Sequence, residues 1–125
     1  MSDHILRAKK ELESKGHIVE VPEGVKNPEL IGRTSESEKT NDKIEHDLIR
    51  KHYEKIEEND AILVVNPEKN GIAGYIGGNT FLEIGFAFIL NKKIYCLYSL
   101  PDLPYTSEIT AMRPIVLNGN LDAVV

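Results

Sequence analysis

The fold class this sequence predicts is α/β, a parallel sheet with helices on both faces, and two observations carry it. The continuous apolar, β-branched run Ala61 to Val65 is of the kind found in strands buried on both faces, and Lys93 to Tyr98 reads as a second strand. Segments with helical apolar spacing lie before, between and after them, and strands alternating with helices imply right-handed crossovers. At 125 residues with 41% apolar content, the chain suits a single domain, 1–125, with a modest core.

Each element has its own signal. Ser2 to Lys15 puts Ile5, Ala8 and Leu12 on one helical face, with Gly16 beyond it as a left-handed cap. His17 to Val21 reads as a short strand stopped by Pro22. The interval Pro22 to Glu38 holds two prolines and two glycines and is long for a connection within a compact domain. From Lys39 to Glu58 the positions Ile44, Leu48, Ile49, Tyr53 and Ile56 recur with helical spacing, opposite a charged face. Ala61 to Val65 is the first buried strand, closed by Asn66 and Pro67. A loop, Pro67 to Gly78, leads into the helix Asn79 to Leu90, and the strand Lys93 to Tyr98 follows. A proline-bounded loop, a short helix near Thr106 to Met112 and a strand from Ile115 to Leu117 complete the series.

Composition excludes several functional classes. The formal charge of −5, from 20 acidic and 15 basic residues, is spread along the chain and offers no basic stripe to a nucleic acid. No run is long and apolar enough to span a membrane, and the charged N-terminus lacks the apolar centre of a signal peptide. One cysteine, Cys96, excludes an internal disulfide and is expected in the core; it fits a reducing compartment, and a cytoplasmic setting is the expectation. His4, His17 and His46 show no metal-ligand spacing, and no CxxC, HExxH or GxSxG occurs, so no metal and no serine nucleophile is expected.

Ligands of parallel α/β sheets sit outside the carboxyl ends of the strands. That rule gathers Asn66, the Pro67 to Gly78 loop, the start of the Asn79 helix and the loop after Tyr98 into one site, and leaves Asp60 as a turn residue at the opposite end. Within it, Glu83 is the only charge in an apolar helix that should be buried. The free amides and positive dipole end of the first turn would keep its carboxylate ionised. A rigid, partly desolvated carboxylate at a cleft mouth suits covalent attack on a sugar carbon. Thr80-x-x-Glu83 also spells a capping box, which alone would account for the acid.

Gly74, Gly77 and Gly78 permit close approach of a ligand or merely a tight turn, without forming GxGxxG or a Walker A loop. Tyr75 either contacts a ligand or packs the loop. His52 continues the series Ile44, Leu48, His52, Ile56 and points toward the sheet, as a structural histidine or as a proton donor bordering the cleft.

Taken together, NDAILVVN, a loop, GGNTFLEIGFA and KKIYCLYS resemble the nucleoside 2-deoxyribosyltransferase superfamily, which includes deoxynucleoside base-exchanging transferases and deoxynucleoside 5′-monophosphate N-glycosidases. The resemblance implies a flavodoxin-like, Rossmann-like sheet, a small-molecule nucleoside or nucleotide substrate, no cofactor, and homo-oligomers, dimers or larger, that complete one another's sites. It implies that Glu83 attacks C1′ to give a glycosyl intermediate that water or another base resolves. Three departures stand out. Family members begin with a strand and a substrate-binding loop, whereas this chain starts at a helix, so a central strand is expected to be absent. His52 stands where many transferases carry an acid, and Gly77 stands where some carry a second.

The function expected is cleavage or transfer at an N-glycosidic bond. Glu83 is the nucleophile, Asn79, Gly77, Gly78 and Tyr75 position the sugar or phosphate, Asn66 orients the carboxylate or a hydroxyl, and His52 borders the cleft. The alternatives are a catalytically silent nucleotide-binding or assembly module of the same fold, and cleavage of NAD or ADP-ribose by related glutamate chemistry.

Overall fold

The computed structural model describes residues 3–20 and 48–124. The predicted loop Pro22 to Glu38, the end of the predicted strand at Val21 and the first part of the predicted Lys39 to Glu58 helix lie outside the described residues.

Helix α1 (Asp3–Ser14) buries Ala8 and Leu12. It ends as its glycine predicts: Gly16 takes φ +93°, Gly16 N–H donates to Glu13 O and His17 N–H donates to Leu12 O, the paired bonds of a left-handed cap. Residues 48–58 form α2, with Ile56 buried and Leu48, Ile49, His52 and Tyr53 half-buried, which is the face the spacing predicts. Strands β1 (Ala61–Val64), β2 (Lys93–Cys96) and β3 (Ile115–Val116) make one parallel sheet in the order β1-β2-β3. Helix α3 (Gly78–Ile89) connects the first pair and α4 (Thr106–Ala111) the second.

Both crossovers step the same way across the sheet, so a common right hand puts α3 and α4 on one face. Their Ile84, Ala87 and Ile109 pack there with Ile56, Val64, Ile94 and Cys96. Alternate strand residues turn the other way: Tyr95 and Leu97 join Ala8 and Leu12 of α1, Leu117 and Leu121. The molecule is therefore a Rossmann-like α/β fold with helices on both faces. Burial pushes the Cys96 thiol up to about 11, as expected of a core cysteine.

Two expectations fail. Residues 17–20 form no strand: His17 and Val19 turn inward and Ile18 is 90% exposed, but no neighbour among the described residues pairs with them. A strand is stabilised by its ladder, and alternation alone does not supply one. Helix α3 is also less buried than its apolar content predicts, because only Ile84 and Ala87 are fully covered while Leu82, Phe88 and Ile89 face outward, Ile89 at 74%.

Candidate active site around Glu83 and His52

The loop from 65 to 77 fixes the site's surroundings. Asn70 (φ +52°) and Gly71 (φ +78°) form a tight turn closed by reciprocal bonds between Lys69 and Ile72, at 3.0 and 3.1 Å. Asn66, buried at the end of β1, holds the loop against the end of β2. Its Nδ2 donates to the carbonyls of Gly74 (3.2 Å), Tyr98 (3.1 Å) and Ser99 (3.2 Å), and its Oδ1 accepts from Tyr98 N–H at 2.9 Å. Gly74 is required at that junction: its φ is +68°, and an added Cβ would overlap the Ser99 carbonyl oxygen. The Asn66 amide is thus spent on backbone, so it shapes the loop.

The start of α3 departs from the predicted cap. Gly77, extended at ψ 176°, is the N-cap, and Phe81 N–H donates to its carbonyl at 2.9 Å. The helix begins early enough that Gly77, not Thr80, holds the N-cap position, so Thr80 and Glu83 are out of register for a capping box. No side chain caps the helix, and Glu83 sits past the amides that were expected to hold it ionised. Burial governs instead and pushes the Glu83 carboxyl up to about 7.

Glu83 faces α2. His52 Nδ1 lies 3.7 Å from Glu83 Oε1, close enough for an ion pair when the imidazole is protonated and too long for a good hydrogen bond. The two side chains are only 15% and 23% exposed, for His52 and Glu83 respectively. Together with Thr80 they border a groove of about 750 Å³ that runs along β1. A second hollow, of about 570 Å³, opens at the carboxyl ends of the strands and is lined by Asn66, Gly74, Tyr98 and Ser99.

The one site expected at the strand ends is therefore divided. His52 and Glu83 come together on the groove, Asn66 borders the other hollow, and Tyr75, Gly77, Gly78 and Asn79 line neither. Lys69 Nζ lies 5.5 Å from the centroid of the Tyr75 ring, whose edge also meets the space above Gly77, so Tyr75 packs within its own loop. Gly78 and Asn79 are exposed at the helix start. The His52–Glu83 contact was legible only in part: helical spacing aimed His52 at the sheet, but its partner depends on how α2 lies against α3, where Tyr53 meets Phe86 edge-on at 5.3 Å.

Chemically the pair offers a carboxylate that gains or loses its proton near neutrality beside an imidazole able to orient it. Among the described residues, no three His, Cys, Asp or Glu side chains gather to hold a metal ion, and no helix is long and apolar enough to cross a membrane. No protein-family model, no curated protein and no solved structure matches this chain.

Proposed function

We propose that this chain cleaves or transfers at the N-glycosidic bond of a deoxynucleoside or nucleotide, as a relative of the nucleoside 2-deoxyribosyltransferase superfamily. The observation that carries the reading is Glu83: a desolvated carboxylate with no capping duty, beside His52 and open to a groove. In the reaction a Glu83 oxygen forms a bond to C1′ as the C1′–N bond breaks, and the base leaves with the electron pair and takes up a proton. Water or an incoming base then attacks C1′ from the vacated side and frees Glu83. His52 lies on the nucleophile's side of such a displacement, so it serves as a positioning residue for the carboxylate and not as proton donor to the departing base.

Only ionised Glu83 attacks. Base release should therefore rise with pH through about 7 and level off above it. Glu83→Gln should abolish release in a panel of deoxynucleosides, their monophosphates and NAD. Release from monophosphates alone would assign a hydrolase, base exchange a transferase, and release from NAD the ADP-ribose reading. No cofactor enters the scheme, and a cytoplasmic setting accords with the single, buried cysteine.

A catalytically silent nucleotide-binding or assembly module is the second reading. It is favoured by one observation: Tyr75, Gly77, Gly78 and Asn79 line neither the Glu83 groove nor the hollow at the strand ends. It predicts nucleotide binding without free base.

The exposed side chains Leu82, Phe88 and Ile89 on α3 support a homo-oligomer, because exposed apolar surface is costly unless covered. Phe88→Glu with Ile89→Lys should turn a dimer or larger assembly into monomer by analytical ultracentrifugation. A wild-type chain that sediments as monomer at high concentration would refute the assembly.

A further inference from the structure

The sequence holds two Asn-Gly pairs, Asn70-Gly71 and Asn118-Gly119. Both form a left-handed turn, with φ of +52° and +78° in the first pair and +51° and +82° in the second, and all four residues are exposed. Such a pair carries a reaction of its own. A glycine nitrogen has no neighbouring side chain to hinder it, and the amide carbon of the preceding asparagine, Cγ, stands where the two can close a five-membered ring.

The two turns differ at the attacking nitrogen. Gly119 N–H donates to Leu97 O at 2.7 Å, and Leu117 N–H donates to Cys96 O at 2.8 Å, which ties that turn to the end of β2 among buried residues. Gly71 N–H has no hydrogen-bond partner among the described residues. Its turn is held by the reciprocal Lys69 and Ile72 bonds, an isolated bridge outside the sheet. Bringing the glycine nitrogen onto Cγ requires the peptide plane between the two residues to turn. At 70–71 that motion loosens a surface bridge. At 118–119 it breaks a bond anchored in the core, and openings that reach the core are rarer than openings at a loop tip.

We propose that Asn70 is a site of spontaneous deamidation in the folded protein and that Asn118 is protected from it. Gly71 N gives up its proton to solvent base and forms a bond to Asn70 Cγ; the Cγ–Nδ2 bond breaks, and Nδ2 leaves as ammonia after taking up a proton from water. Water then adds to one carbonyl of the succinimide ring. Breaking the new N–Cγ bond leaves an aspartate at position 70, and breaking the original peptide bond leaves an isoaspartate, whose chain runs through Cβ. Either product places a new negative charge next to Lys69. The isoaspartate also lengthens the backbone between Lys69 and Ile72 by a methylene, which disturbs their reciprocal bonds. Pro67, Glu68, Ala73 and Gly74, on either side of the turn, line the hollow at the strand ends, so the change is a one-way alteration in the wall of that hollow. It does not depend on the glycosidic chemistry, since neither Asn70 nor Gly71 borders the Glu83 groove.

Peptide mapping by mass spectrometry tests this, with the full chain held at pH 8, folded or in unfolding urea, until the unfolded sample has reacted. In the folded chain the peptide containing Asn70 should gain about 1 Da, faster as pH rises, at a rate on the order of tenfold or more above that of the peptide containing Asn118. In urea the two should react at similar rates, because the fold alone distinguishes them. Asn70→Gln, which would need a less favourable six-membered ring, should abolish the gain at that position and leave the rate at Asn118 unchanged. Equal rates at the two positions in the folded chain, or a faster gain at Asn118, would overturn the proposal. So would a folded chain that gains nothing at Asn70, or a preference for Asn70 that persists undiminished in urea, which would belong to the neighbouring side chains and not to the fold.

Discussion

Asn66→Ala should cost about 3 kcal/mol of stability, a large share of the roughly 5–15 kcal/mol that holds a small domain together. Four backbone groups depend on this one amide: the Tyr98 N–H and the carbonyls of Gly74, Tyr98 and Ser99. Alanine leaves them without a partner where water reaches only part of them, and a buried unsatisfied polar group costs about 1–3 kcal/mol. Asn66→Asp should be at least as damaging, since a carboxylate oxygen would replace the donor facing three carbonyls. Urea unfolding measures both. A loss under 1 kcal/mol for alanine would show that the clasp between the ends of β1 and β2 carries little of the fold.

Glu83→Gln should make the protein more stable above neutral pH, by about 2–3 kcal/mol at pH 8. The sign follows from the two states. Glu83 titrates near 7 when folded, against an ordinary value of 4.5. Below 4.5 both states hold the proton and no penalty exists; between 4.5 and 7 the unfolded chain ionises first, so stability falls as pH rises; above 7 the full penalty of about 3 kcal/mol remains. Glutamine keeps the shape and removes the charge, so the gain should vanish near pH 4. A capping glutamate would behave in the opposite sense, since its replacement would remove a helix-stabilising contact. Melting curves of both proteins from pH 4 to 8 separate the two roles.

The sheet and the helices on its two faces were legible because their signals are local and strong. Ile62, Val64, Ile94 and Cys96 sit in uninterrupted apolar runs, and Gly16 ends α1 with the conformation only glycine adopts cheaply. What failed depended on neighbours. The alternation at 17–20 is real, but the ladder that would make it a strand lies outside those residues. The Thr80-x-x-Glu83 spacing matches a capping box, yet Gly77 and Gly78 let the helix begin earlier and carry Glu83 beyond its free amides. Asn66 reads as a site residue because it follows a strand, and only the backbone around Gly74 and Ser99 reveals its clasp. Asn70-Gly71 is a pair well suited to the left-handed turn it forms, and is a local signal for that turn.

Of the candidate site, Glu83 was visible as a lone charge in an apolar helix, and His52 as a histidine on an inward face. Their meeting at 3.7 Å was not, because α2 and α3 are brought together by packing between Tyr53 and Phe86 that neither segment encodes alone. The division of the strand-end residues from Glu83 was equally hidden, since it depends on which side of β1 each loop falls.

The proposed reaction rests on attack of the Glu83 carboxylate at C1′. Chromatography of free base released from deoxynucleosides, their monophosphates and NAD at pH 8, with wild type and Glu83→Gln side by side, tests it most directly. Wild type should release base, with a loss on the order of a thousandfold or more in the folded, stabilised variant. Equal release by the variant, or none by wild type from any of these substrates, would contradict it.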